Sequence, residues 1–368
     1  MSFAVHLRTF LRKNYNEDMN NTVTADVAIA GAGIIGLSLA LELRLRGLSV
    51  AVMERGHAMS SASWAAGGML AVNDPHNPPE LMPLCTRSGE LYPAYLYRIE
   101  SLSKLRVPVR THRTLQEMKP GHDSHGEATS AEIAAVAPGL DPAGHSFEWL
   151  EEGSVDPHDL HKALPTAFIA IGGTLLEQTE VLGIQVDEAC VLVQTERQRV
   201  SAGIFMNCCG AWAGDPRWGG APVEPVKGHI ANLRCEPDRL RCVVRTAAVY
   251  LIPRGDGRVT VGATIEHAGY DEAVHEAKIM RIFDSARRLL PESTVPSPLD
   301  AWTGLRPGTP DGLPILGPAK TRNCWHATGH YRDGILLAPV TARVMAQAIL
   351  GETPDVPLDA FSPMRFGS

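Results

Sequence analysis

Residues 303–317 read TGLRPGTPDGLPILG, in which four glycines and three prolines surround one long cation, Arg306. That composition suits neither a helix interior nor a central strand. Pro307 also restricts the backbone of Arg306 toward the extended region. The segment presents either a preorganised guanidinium or an incidental charge on a surface turn. A second chemical signal lies at residues 31–36, where Gly31, Gly33 and Gly36 form a G-x-G-x-x-G turn that contains Ile34 and Ile35. Glycines in such a turn let the backbone approach a pyrophosphate, and a helix N-terminus stabilises its charge. Glu54 follows Gly36 by 18 residues, where an acid accepts hydrogen bonds from ribose hydroxyls and disfavours the 2′-phosphate of NADP. Residues 55–70, RGHAMSSASWAAGGML, form another small-residue stretch that could pass close to phosphates or a flat ring. Ser61 and Ser63 within it could equally cap a helix.

The elements that must position these residues can be read around them. Residues 26–30 form a short apolar run that ends at the glycine turn, as a buried parallel strand does. Residues 34–46 carry apolar side chains at helical spacing before Gly47, and 49–53 form a second strand closed by Glu54. This is a βαβ opening and, without further context, could be purely structural. A helix should start near Pro157 with Asp156 as its cap. Residues 174–214 read as a meander of short strands, and 250–253 with 258–265 as a hairpin around RGDG. Residues 334–351 read as an amphipathic closing helix, and 119–130 as an exposed loop. The order predicts an α/β fold interrupted by antiparallel sheet. His158 and His161 share one face of the helix near Pro157. With no third ligand in view they read as a solvated pair, and no metal site is expected.

Composition narrows the function classes. The 368 residues are 44% hydrophobic and 20% charged, with a net charge of −7, which gives no support to nucleic-acid binding. No apolar run reaches the ~18 residues of a membrane span. Seven cysteines with no CxxC pair suggest neither a zinc site nor a disulfide framework, and fit a reducing cytoplasm. Residues 1–24 read as a loose extension, with Met19 an alternative start.

Together, residues 31–36 (GAGIIG), 54–56 (ERG), 61–70 (SASWAAGGML), 304–317 (GLRPGTPDGLPILG) and 329–339 (GHYRDGILLAP) resemble the glycine oxidase / D-amino acid oxidase family of flavoproteins. The resemblance runs over nearly the whole chain from residue 24. It implies a Rossmann-like, GR2-type FAD-binding domain from residues 25–84, 150–222 and 306–368. A smaller antiparallel-sheet substrate domain would come from 85–149 and 223–305, so that the segments interleave. It places Ile34 and Ile35 at the pyrophosphate, Glu54 and Arg55 at the adenosine ribose, and Ala62 and Ser63 beside the phosphates. Gly67, Gly68 and Met69 would approach the isoalloxazine, and the Val181 backbone the adenine. His330, Tyr331, Arg332, Asp333, Gly334, Ile335 and Leu336 would wrap the flavin's pyrimidine end. The amides of a helix starting at 334 would then favour negative charge at the N1/O2 edge.

By the same resemblance Arg306 clamps the substrate carboxylate through two parallel hydrogen bonds, Tyr250 adds a hydroxyl, and Arg332 is a second arginine nearby. No general base is assigned, and His330 is expected to pack against the flavin. The implied activity is oxidative deamination of glycine and other small amino acids. Hydride passes from Cα to flavin N5, the imine is hydrolysed to glyoxylate and ammonia, and O2 becomes H2O2. The family link is to thiamine thiazole formation, with a possible thiazole-synthesis partner and a homo-oligomeric state. A D-amino acid dehydrogenase that passes electrons to a quinone or carrier remains the alternative, and glycine, sarcosine and small D-amino acids are all open as substrates. Sarcosine oxidase-type relatives tether FAD through a cysteine a few residues before the TPD of this loop. Gly304, Leu305 and Arg306 stand there instead, so the cofactor should be non-covalent. Acid precipitation should leave a colourless pellet under a yellow supernatant; a yellow pellet would overturn this.

Overall fold

The computed structural model describes residues 22–118, 126–142 and 144–367. The expected extension up to residue 21, Met19 included, and residues 119–125 of the expected loop lie outside the described residues. Two sheets organise the rest. The first holds eight strands, and its central path is parallel, in the order Cys324–Thr328, Arg199–Asn207, Thr22–Ala30, Val50–Met53 and Thr174–Leu176. Ile315–Pro318 adds an antiparallel edge, and Val181–Val186 with Val191–Thr195 fold back as the expected meander. These central strands are apolar on both faces because helices cover one face and the Val181–Val186 and Val191–Thr195 meander, with Trp218, covers the other. Helices Ile34–Leu45, Met82–Ser103, Pro157–Ala170 and Gly334–Ile349 bury Leu37, Ile99, Leu164 and Val344 in one core with Val27, Val50 and Met206.

Register decides where the loops meet. Ala30 lies opposite both Met53 and Asn207, so three strands end together and feed Gly31, Glu54 and Cys208 into one place. Gly31 has φ +99°, and a Cβ on it would stand 2.4 Å from the Cys208 carbonyl oxygen. The glycine is needed for both the turn and the close approach.

The second sheet has seven strands, in the order Ala301–Gly308, Glu224–Arg234, Arg258–Gly262, Tyr250–Pro253, Val243–Arg245, Thr114–Glu117 and Phe147–Leu150. All neighbours are antiparallel except Val243–Arg245 with Thr114–Glu117. Helix Glu276–Leu289 packs Ile279, Phe283 and Ala286 onto its inner face.

Four sequence expectations are refined. Residues 301–308 do form a strand, but at the sheet edge, where no second neighbouring strand needs the N–H that Pro307 lacks. That strand continues through residue 306, so the division drawn at 305/306 falls inside it. The helix Met82–Ser103 shares the first core and not the antiparallel sheet, because Leu84, Tyr92 and Leu96 pack among the helices there. The closing helix is buried nearly all round and so is not amphipathic. Among the described residues no helix is long and apolar enough to cross a membrane. None of the seven cysteines is in a disulfide.

A Cβ on Gly36 would lie 2.1 Å from the Gly31 carbonyl oxygen. Gly36→Ala should therefore lower unfolding stability by about 1–3 kcal/mol in urea, the usual cost of overpacking, and weaken dinucleotide binding as the turn shifts. An unchanged midpoint would refute this packing argument.

Candidate active site

Two cavities open at the C-terminal ends of the parallel strands, the usual place for a ligand in an open α/β sheet. Both are lined by Gly33, Ala62, Ser63, Cys208 and Gly210, so they form one elongated cleft. The narrower half also takes Gly31, Glu54, Arg55 and Val181, with Trp212 and Trp218. The wider half takes Ile34, Ile35, Gly67, Gly68 and Met69. It also takes Tyr250, Arg306 and the segment His330, Tyr331, Arg332, Asp333, Gly334 and Ile335. Gly36 and Leu336 line neither half. Gly36 packs against Gly31, and the buried Leu336 accepts a hydrogen bond from the Ser88 hydroxyl.

Local hydrogen bonds hold the narrow half in shape. The Glu54 carboxylate accepts from the amides of Ala32 and Gly56, each at 2.9 Å, which leaves further lone pairs on both oxygens. Ser63 Oγ accepts from the Ile34 amide at 2.9 Å, so it ties the second small-residue stretch to the first turn and caps a helix other than its own. Ser61 occupies the N-cap position of helix Ala62–Ala65 but makes no side-chain cap bond. Helix Ile34–Leu45 begins at the cleft with only the Ser63 hydroxyl on its first amide, and helix Gly334–Ile349 begins there with no bond from its N-cap side chain, so two positive helix ends face the cleft.

In the wide half, two polar side chains lie across glycines. A Cβ on Gly228 would sit 2.3 Å from Arg306 Nη2, and one on Gly262 would sit 2.5 Å from the Tyr250 hydroxyl. Arg306 Nη1 donates to the Thr264 carbonyl at 3.1 Å, and no carboxylate of the described residues is paired with it. Burial pushes the Tyr250 phenol up, although Arg306, Arg254 and Arg332 oppose this. Arg332 differs from Arg306: it is engaged with Asp74 at 3.1 Å. Burial alone would raise the Asp74 carboxyl, but Arg332 and Arg245 help hold it low. Arg245 in turn pairs with the buried Glu152 at 2.9 Å.

His330 is buried and bonded to Thr341 Oγ1 at 3.0 Å, and burial lowers it to about 3, so it is neutral. His158 is not a solvated residue. Its ring stacks on Trp64 at 4.3 Å because helix Ala62–Ala65 projects the indole over it.

Sequence reasoning missed Arg254, which sits in RGDG and was read only as part of a turn. It is buried and donates to the carbonyls of Val155 at 3.0 Å and Gly67 at 2.9 Å, and to Thr260 Oγ1 at 2.9 Å. It thus fastens the Gly67–Gly68 turn to the antiparallel sheet. Asp74, Cys208 and Trp212 were missed as well. Only the last two had a signal, a strand ending in a glycine-containing turn. The elongated cleft, its shared glycine waist, the acid at one end and the two helix N-termini that meet there fit a flavin dinucleotide.

The chain belongs to the family of FAD dependent oxidoreductases, whose pattern matches residues 26–348, and FAD is its cofactor. It is 33% identical over 357 residues to the glycine oxidase of Pseudomonas aeruginosa, covering 92% of this chain and 98% of that protein. It is also 33% identical to the bifunctional protein ThiO/ThiG of Trichormus variabilis over 94% of this chain, which spans only 55% of that longer protein. Among solved structures, the glycine oxidase of Geobacillus kaustophilus superposes with a TM-score of 0.86 at 28% identity, covering 94% of this chain and 100% of that one.

Asp333, at the N-cap of helix Gly334–Ile349, has its carboxyl raised by burial to about 7, with Asp74 adding to the rise and Arg332 and Arg245 opposing it. The folded chain keeps this proton between about pH 4 and about 7, where an unfolded aspartate has lost it. Stability therefore falls as pH rises through that window and stays lowered above it. FAD-free Asp333→Asn should melt above the parent at pH 8, with the gap closing toward pH 5. Equal melting at pH 8 would contradict the assignment.

Proposed function

We propose that this protein catalyses the oxidative deamination of glycine and other small amino acids: glycine, O2 and water give glyoxylate, ammonia and H2O2. Bound FAD supplies a hydride acceptor at N5 and then an electron path to O2. The observation that carries the reading is Arg306, a cation on an edge strand inside the cleft that, among the described residues, donates to the Thr264 carbonyl and pairs with no carboxylate. A guanidinium in that state matches a carboxylate through two charge-assisted bonds, and its fixed backbone reduces the ordering lost on binding. Tyr250, kept protonated by burial, has a hydroxyl to donate beside it. With the carboxylate so anchored, the substrate Cα is aligned for transfer, which needs orientation more than a base. His330, neutral and bonded to Thr341, is in no position to act as one.

The glycine oxidase relative supports glycine as a substrate, and the fused ThiO/ThiG relative supports a role beside a thiazole-forming partner in thiamine biosynthesis. Seven cysteines outside any disulfide fit a cytoplasmic setting.

Anaerobic mixing with glycine, sarcosine, D-alanine and D-proline tests the reading. The flavin absorbance should bleach with glycine, and should recover in air with one H2O2 formed per substrate consumed. Bleaching without recovery in air would identify a dehydrogenase instead. Arg306→Ala should raise KM for glycine on the order of 100-fold, as expected for two lost charge-assisted bonds, while FAD stays bound. Unchanged kinetics would remove Arg306 from the role of anchor.

A further inference from the structure

One cluster of rings takes no part in the proposed chemistry, yet it joins three separate parts of the chain. Arg55 follows strand Val50–Met53, and its guanidinium carbon lies 3.8 Å from the centroid of the Trp212 ring. Trp212 stands in the short turn Gly210–Trp212 beyond strand Arg199–Asn207. Arg55 and Trp212 both line the narrow, Glu54-containing half of the cleft. Tyr270 comes from neither region. It lies in residues 263–275, a strap that leaves the seven-stranded sheet after Gly262 and ends at helix Glu276–Leu289. Its ring stacks on Trp212 at 5.7 Å and 23°, and its hydroxyl donates to the Ala211 carbonyl at 3.2 Å.

The strap is fastened on both sides of that tyrosine. The backbones of Lys227 and Glu266 bond to each other in both directions, at 2.9 and 3.0 Å. Lys227, whose side chain is fully buried, reaches Asp271 at 2.6 Å. The His275 amide donates to His229 Nε2 at 3.0 Å, and the Thr303 hydroxyl to the Glu272 carbonyl at 2.6 Å. Tyr270 itself remains 54% exposed. An aromatic ring left that open adds little to a core. Its contacts are with Trp212 and with Trp212's neighbour in the turn, so its effect falls on the wall of the cleft.

We propose that Tyr270 is a positioning residue for the cofactor: it clasps Trp212 beside Arg55 at the adenosine end of the cleft and slows the escape of FAD. Arg55 is an exposed side chain on a loop, and its stack on Trp212 is of the weak, surface kind. A second ring held by a fastened strap restricts the indole from another side and keeps the pair assembled. The inference rests on FAD as the cofactor and not on which amino acid is oxidised.

The test uses the FAD-loaded full chain, diluted so that released cofactor is seen as growth of free-flavin fluorescence. Tyr270→Ala should release FAD about tenfold faster, the scale of one aromatic pair. Tyr270→Phe keeps the ring and loses only the bond to Ala211, and should stay within about twofold of the parent by the same reasoning. The urea midpoint of the FAD-free chain should be the same for all three. Parental release from Tyr270→Ala would overturn the proposal. So would equally fast release from Tyr270→Phe, or a lowered midpoint in FAD-free Tyr270→Ala, which would mark a merely structural residue. No substrate is present, so the outcome stands apart from the glycine reading.

Discussion

The site depends on one non-local pairing. Thr22–Ala30 and Arg199–Asn207 run parallel in the middle of the first sheet, and their register carries Gly31 against Cys208 with no room for a side chain between them. A slip of one residue would turn every buried side chain to the opposite face. It would also separate the glycine turn from the Cys208–Gly210 turn that completes the waist of the cleft. Glu54 joins them because Val50–Met53 ends level with both strands. The cofactor end of the site is therefore a consequence of strand register, held by apolar packing of helices on one face and of the small meander on the other.

The substrate end is set by how the second sheet meets the first. Arg254 spans that seam, with its guanidinium shared among two carbonyls and a threonine hydroxyl. A buried cation satisfied in this way ties the Gly67–Gly68 turn to the hairpin bearing Tyr250. Nearby, a Cβ on Gly304 would come within 2.6 Å of Ala65 Cβ, so the edge strand with Arg306 can lie against helix Ala62–Ala65. The two arginines of the wide half then take different states. Arg332 is offset by Asp74, whereas Arg306 is left with a carbonyl. Charge placement, more than charge count, distinguishes an anchor for an incoming carboxylate from a structural ion pair.

Much of this was legible from short-range signals. The βαβ opening, the Asp156 cap and the RGDG hairpin are local, and proline, glycine and side-chain periodicity write them directly into the chain. The glycine-rich turns were legible too, since only glycine permits their close approaches. Ser63 was ambiguous between phosphate neighbour and helix cap, and it proved to cap the helix beginning at Ile34, 29 residues earlier. His158 misled because helical spacing shows which residues share a face but not that Trp64 covers it. Arg254 and Asp74 act on the site through partners 99 or more residues away, Val155, Gly67 and Arg332, and no local pattern marks such residues.

By itself, then, the sequence determined the βαβ opening, the helix capped by Asp156, the RGDG hairpin, the family and the residue types gathered at the cleft, because these follow from backbone preference and from motifs that tolerate few alternatives. Only the tertiary structure decided that Pro307 sits on an edge strand and that Met82–Ser103 belongs to the first core. It alone decided that Arg332 is paired while Arg306 is not, and that Tyr270 reaches Trp212. Each of those outcomes depends on which distant surfaces are buried against one another. Burial, register and charge pairing are properties of the assembled chain, and they become fixed only when the two sheets come together.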